Sequence, residues 1–219
     1  PGDRVLVFVP VSISLYVTLL ALWRLGAVPV FVDAWADRDR LELAVEQTAP
    51  RGFIGIPRAH LLRLKRPAIR RLPIHILAGE PARGATPRPE PHWVDPDAGA
   101  LLTLTTGSTG PPKAVLRTHR HLREQHRALA RILDSGGAEV VLPTLPMFAL
   151  AGMASGHAVV LPPAGKRPGQ PDPAALARLV AQERVTTLIA SPALLGEILP
   201  LLGEGHGLRL FTGGAPVGP

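Results

Sequence analysis

The chain has 219 residues, 46% of them apolar, no cysteine, and a formal charge of +7 from 24 basic and 17 acidic side chains. A disulfide framework and thiolate chemistry are thereby excluded, and the missing cysteines fit a cytoplasmic protein. No uninterrupted apolar run reaches the length of a membrane span, and Arg24, Pro10 and two serines break the most apolar stretch, Val5–Ala27. The positive charge raises the question of nucleic acid, but aromatic residues make up only 4% of the chain, and the densest basic stretch, Arg58–Arg71, holds none to stack a base. No nucleic-acid partner is expected.

Strand and helix signals alternate along the chain. Arg4–Val9 reads as a strand, Ser12–Leu25 as a buried helix closed by Gly26, and Val28–Val32 as a second strand. Arg38–Thr48 is amphipathic, with Leu41, Val45 and Thr48 on one helical face; Asp33, Asp37 and Asp39 read as turn and cap residues. Gly52–Ile56 and Ile74–Leu77 are short strands around a basic helical segment, and Gly79–Pro91 is a linker or surface loop. Ala100–Leu104 is an apolar strand and Ala114–Thr118 a β-prone run, followed by a helix over Arg120–Asp134. Glu139–Leu142 and Val159–Leu161 are strands, and Asp172 caps a helix over Ala174–Glu183 with Pro173 in its first turn. Thr186–Ala190, Pro192–Leu202 and Leu208–Phe211 close the chain as strand, helix and strand. This alternation predicts an α/β fold with largely parallel sheets flanked by helices, with residues 1–92 and 93–219 as subregions.

The chemistry concentrates in Leu104-Thr105-Thr106-Gly107-Ser108-Thr109-Gly110-Pro111-Pro112-Lys113. Glycines let the backbone approach a ligand, hydroxyls donate to phosphate oxygens, and lysine supplies a compact point charge. Lys65, Lys113 and Lys166 are the only lysines among 24 basic residues, so an arginine-rich chain retains a lysine here. A Gly/Thr surface turn is the plainer alternative. A Walker P-loop is disfavoured: two prolines separate Gly110 from Lys113, Ala114 stands where a magnesium-binding hydroxyl belongs, and the loop runs from strand to strand.

Three other segments hold candidate residues. Thr212-Gly213-Gly214-Ala215-Pro216 comes after a predicted strand; locally it is a small-residue turn. Pro146-Met147-Phe148-Ala149-Leu150-Ala151-Gly152 is apolar and reads as core. His119, His121 and His126 lie close in sequence, with His119 and His126 on one helical face, but surface histidines explain them, and no metal site is assigned.

Thr105–Ala114 resembles the signature loop of the adenylate-forming superfamily, which comprises acyl-CoA synthetases, luciferases and peptide-synthetase adenylation domains. That loop alternates Ser/Thr with Gly, ends in Pro-Lys-Gly and often precedes Thr-His; here Thr118-His119 take that place. Gly2-Asp3-Arg4-Val5, Leu25-Gly26-Ala27-Val28-Pro29-Val30, Ser191-Pro192-Ala193-Leu194-Leu195 and Thr212–Pro216 resemble further family segments in the right order. The resemblance implies a partial N-terminal AMP-binding domain with the C-terminal domain absent, both ends being cuts inside a larger protein. It implies ATP and Mg2+ as cofactors and a small carboxylic acid as substrate. Thr105, Thr106, Gly107, Ser108, Thr109, Gly110 and Lys113 would bind phosphate, with Thr109 and Lys113 catalytic, and Gly213, Gly214, Ala215 and Pro216 would pack on adenine. The magnesium-binding glutamate, the ribose-binding aspartate and a mobile C-terminal lysine are expected beyond residue 219, so the fragment alone is expected to be inactive.

Phe148, Ala149, Leu150 and Gly152 fall where the family meets the acyl group. Many relatives carry His at the position of Ala149; the Phe-Ala-Leu form, together with Arg167-Pro168-Gly169 and Asp172-Pro173, resembles the olefin-biosynthesis β-lactone synthetases, which close β-hydroxy acids to β-lactones. A fatty acyl-CoA synthetase and a non-catalytic nucleotide- or acyl-binding module are the alternatives. Thr106 and Ala114 depart from the usual Ser/Gly and Gly; the second change is tolerable if φ at residue 114 is negative.

Overall fold

The computed structural model describes residues 1–32, 38–79, 90–104, 113–133, 136–163, 165, 171–203 and 207–213. Two compact units divide between Glu124 and Gln125.

The first unit contains β1 (Arg4–Phe8), α1 (Ile13–Arg24), β2 (Val28–Phe31), α2 (Arg38–Thr48), β3 (Gly52–Gly55), α3 (Pro57–Leu64), α4 (Pro67–Arg70), β4 (Ile74–Leu77), β5 (Gly99–Leu104) and β6 (Ala114–Thr118). Its sheet has the order β4-β3-β1-β2-β5-β6. Every pairing is parallel except β5 with β6, where Leu104 faces Ala114 and Thr103 faces Val115. Because β5 pairs with β2, this unit runs past residue 92 and on to Glu124.

The central strands are nearly continuous apolar runs, as strands covered on both faces should be. On one face Leu6, Phe8, Val28, Val30, Phe53 and Leu102 form a core with Leu41 and Ala44 of α2, Ala59 of α3 and Ile69 of α4. The alternate positions Val7 and Val9 are also buried, as are Leu15, Tyr16, Leu19 and Leu22 of α1. Ser12 caps α1, its hydroxyl accepting from the Leu15 amide at 3.3 Å. Gly26 lies just past the helix at φ +67°, and a Cβ there would lie 2.5 Å from the His92 ring, so both backbone sign and space demand glycine.

The basic segment predicted as one helical stretch forms two helices, because Pro67 starts a new first turn.

α5 (His119–Leu133) spans the division. The second unit contains β7 (Val140–Pro143), α6 (Pro146–Ala154), β8 (Ala158–Val159), α7 (Pro173–Gln182), β9 (Thr187–Ala190), α8 (Pro192–Leu202) and β10 (Arg209–Thr212). Its sheet, ordered β10-β9-β7-β8, is wholly parallel. Leu142, Leu188 and Ala190 pack with Leu176 and Val180 of α7 and Leu195 and Ile198 of α8. Ser191 caps α8 through its hydroxyl; Asp172 holds the cap position of α7, but its side chain makes no capping hydrogen bond.

The sequence pattern assigns no helix where α6 forms. Its residues are apolar nearly all round, so no helical period shows, while Pro146 sits in its first turn, where a missing N–H costs nothing.

A polar node lies in this unit. The Glu139 side chain, only 4% exposed, accepts from the Thr187 hydroxyl at 2.6 Å and pairs with the Arg209 guanidinium. Arg209 also donates to the Leu133 carbonyl at 2.9 Å and lies over the Phe211 ring. The node joins residues at the amino ends of β7, β9 and β10. Arg209→Ala leaves a buried carboxylate without its cation, and is expected to lower stability by about 3 kcal/mol in denaturant titration. A loss under about 1 kcal/mol, the scale of an exposed ion pair, would show that the node does not hold the sheet.

Candidate functional site

The site residues divide between the two units. In the first, β5 ends at Leu104 and β6 begins at Ala114, side by side. The segment that joins them carries Thr105, Thr106, Gly107, Ser108, Thr109 and Gly110, which lie outside the described residues. Lys113 is described: it is exposed and directly precedes β6. The next amide, that of Ala114, donates to Gln47 Oε1 on α2 at 2.7 Å. Gln47 escapes a reading of the sequence, since nothing in an amphipathic helix marks one exposed glutamine as the partner of an amide 67 residues away. Among the described residues the only non-glycine positive φ angles belong to Ala49 and Arg184, so Ala114 holds its methyl without backbone strain.

The lead-in to α5 is pinned by charge. Arg120 reaches Asp97 with two nitrogens, at 2.6 and 2.8 Å, and its guanidinium holds the Asp97 carboxyl below the usual range. His119, the first residue of α5, is half-buried, and burial holds its imidazole below its ordinary value.

In the second unit, three predicted segments leave the same edge of the sheet. β7, β9 and β10 are adjacent and parallel, and their carboxyl ends lead into Thr144 and α6, into Ser191 and α8, and into Gly213. The amide and hydroxyl of Thr144 both donate to the Ile189 carbonyl, at 2.8 and 3.2 Å, which ties the β7 exit to β9. Ligands of parallel α/β sheets bind beyond the carboxyl ends of the strands. Phe148 and Leu150 on α6 are half-buried, Ala149 is fully buried, and Gly152 is buried with its Cβ position 3.0 Å from Val159. Among the described residues nothing lies within 4 Å of the Cβ position of Gly213; Gly214, Ala215 and Pro216 lie outside the described residues.

Of the other candidates, His121 is exposed, and His126 has a buried Nδ1 with no hydrogen-bond partner among the described residues. No three His, Asp or Glu side chains converge as a metal set among the described residues. Asp39 lies in α2, while Asp33 and Asp37 fall outside the described residues.

A profile of AMP-binding enzymes matches residues 1–219. The chain belongs to the AMP-binding enzyme family. It is 36% identical over 237 aligned positions to the olefin beta-lactone synthetase of Stenotrophomonas maltophilia, an alignment covering 100% of this chain and 42% of that protein. It is 35% identical over 232 positions to the olefin beta-lactone synthetase of Xanthomonas campestris pv. campestris, again covering 100% of this chain and 42% of the relative. The chain thus spans less than half the length of these relatives. In fold alone it is similar to the o-succinylbenzoate CoA synthetase of Bacillus subtilis in complex with the acyl-adenylate OSB-AMP, with a TM-score of 0.83 over 98% of this chain and 44% of that one, at 19% identity. The AMP-binding assignment agrees with the resemblance of Thr105–Ala114, and the α/β fold with largely parallel sheets agrees with the predicted class.

His119 generates a pH prediction. Its folded-state value lies below the unfolded value of 6.5, so the unfolded chain binds more protons in the window between them, and stability falls as pH drops through that window. Thermal melts are expected to show a smaller acid-side loss for His119→Gln than for the parent. An identical acid-side loss in the two proteins would remove His119 as its source.

Proposed function

We propose that this chain is part of an ATP-dependent carboxylate-activating ligase that forms acyl-AMP and converts a β-hydroxy fatty acid to a β-lactone. The observation that carries the reading is the alignment of the whole chain with two proteins named olefin beta-lactone synthetase, at 35% and 36% identity. The Phe148-Ala149-Leu150 sequence supports the same subgroup.

In this reading, Thr106, Ser108 and Thr109 donate hydroxyl hydrogen bonds to the β- and γ-phosphates, Lys113 adds positive charge, Gly107 and Gly110 allow close backbone approach, and Thr105 opens the binding loop. Gly213, Gly214, Ala215 and Pro216 receive adenine. Phe148, Ala149, Leu150 and Gly152 border the acid. A carboxylate oxygen attacks the α-phosphorus, the bond to the departing pyrophosphate breaks, and acyl-AMP results. The substrate's own β-hydroxyl oxygen then attacks the acyl carbon, AMP departs, and the hydroxyl proton is released. Holding both reacting groups in one pocket supplies the proximity that a strained four-membered ring requires. Magnesium accompanies ATP in this chemistry. The described residues form no donor set that fits it, so no residue here is assigned to the metal.

No described helix is long and apolar enough to cross a membrane; a cytoplasmic location is proposed. The 219-residue piece alone is proposed to be inactive.

Product analysis of the full-length protein with ATP and a β-hydroxy fatty acid, with and without CoA, tests the reading. A β-lactone formed without CoA is expected. A CoA thioester, formed only when CoA is present, would contradict it.

Lys113→Ala in the full-length protein is expected to raise the adenylation barrier by about 1–3 kcal/mol, the loss of a charge-assisted phosphate contact. The step from pre-formed acyl-AMP should keep its rate. Equal losses in both assays would make Lys113 a structural residue.

Ala149→His places an imidazole where the parent methyl is fully buried. Overpacking is expected to cost about 1–3 kcal/mol and to slow lactone formation from α-branched β-hydroxy acids more than from unbranched ones. An equal slowing of both substrates would show that Ala149 does not border the acyl group.

A further inference from the structure

Residues 57–79, which hold α3, α4 and β4, contain six basic residues and no Asp or Glu. Arg66 is paired with Glu42 at 3.5 Å; Arg58, Arg63, Lys65, Arg70 and Arg71 are in no ion pair among the described residues. Arg58, Lys65, Arg70 and Arg71 are exposed.

α3 turns Ala59 inward, where it joins the core at 2% exposure. Its opposite side carries Leu61 at 65% exposure and Leu64 at 63%. By helical spacing Arg58 lies one turn before Leu61, and Lys65 one turn after it, so two bare leucines are flanked by two cations on one face. α4 packs against α3 and adds Arg70 and Arg71 beside its buried Ile69.

Single exposed leucines are ordinary on a soluble surface, but Leu61 and Leu64 set between cations make one mixed apolar and basic face, and a phosphate backbone gains nothing from the leucines. Duplex nucleic acid would be met by the cations alone, and the segment has no Phe, Tyr or Trp for stacking bases, while the rings of His60 and His75 pack on Phe53. An anionic bilayer meets both features: headgroup phosphates attract the cations, and the leucines enter the boundary between headgroups and acyl chains.

We infer that the α3–α4 surface docks on anionic lipid bilayers, with Leu61 and Leu64 inserted and Arg58, Lys65, Arg70 and Arg71 against the headgroups. The inference rests on this surface and not on the proposed reaction.

The test is sedimentation of the full-length protein with vesicles of phosphatidylcholine alone, and of phosphatidylcholine mixed equally with phosphatidylglycerol. Binding is expected to the mixed vesicles only, and to weaken with added salt. Arg58→Glu with Lys65→Glu should weaken it by at least about tenfold, given about fivefold per cation near a charged surface. Leu61→Ser with Leu64→Ser should also weaken it about tenfold or more, through lost apolar burial. All four side chains are surface residues, and thermal melts of the variants should match the parent. Absence of binding to the mixed vesicles overturns the inference. So does undiminished binding by the leucine variant, and so does tighter binding to duplex DNA or to polyglutamate than to the mixed vesicles.

Discussion

The candidate phosphate segment depends on one strand with two kinds of neighbour. β5 runs parallel to β2 and antiparallel to β6. The first pairing sets the end of β5 at the carboxyl edge of the parallel strands; the second makes the chain return to that edge within a few residues. Thr105–Lys113 therefore connects two strand ends that already lie side by side. Pro111 and Pro112 have no N–H to contribute to a ladder, and the pairing begins at Ala114. The Ala114 amide is met by Gln47 from α2, so the residue after Lys113 is held by the sheet on one side and by a helix on the other. The charge on Lys113 is thus carried by the first residue outside a fixed ladder.

The second unit keeps its buried polar node apart from the segments proposed to meet substrate. At the amino ends of the parallel strands, buried Glu139 and Thr187 meet the half-buried guanidinium of Arg209 and join three strands. The carboxyl ends carry Thr144 and Gly213 into the segments proposed for acid and adenine, and Ser191 into α8. A parallel sheet makes this separation natural, since all its strands begin at one edge and end at the other.

Much of this was legible in the sequence. Continuous apolar strands alternating with capped helices defined an α/β fold, and most strands lie within a residue or two of their expected bounds. The Thr105–Lys113 chemistry and its order relative to Ser191–Leu195 and Thr212–Pro216 pointed to the family that the profile match establishes. The features that stayed hidden were non-local or lacked periodicity. The antiparallel turn of β6 leaves no trace in composition. α6 is apolar on nearly every side and shows no helical period. Gln47 and Glu139 meet partners 67 and 48 residues away, and only the folded chain shows that they do. The extension of the first unit past residue 92 comes from β5 crossing to β2, a pairing that spans more than 70 residues.

The central claim is that this chain supplies the phosphate-binding and acid-binding parts of a carboxylate-activating site. Isotope exchange between pyrophosphate and ATP, catalysed by the full-length protein, reports formation of acyl-AMP independently of the ring-closing step. The account predicts exchange that depends on added β-hydroxy fatty acid and is absent without it. Exchange that ignores the acid, or no exchange at any acid concentration, would contradict the account.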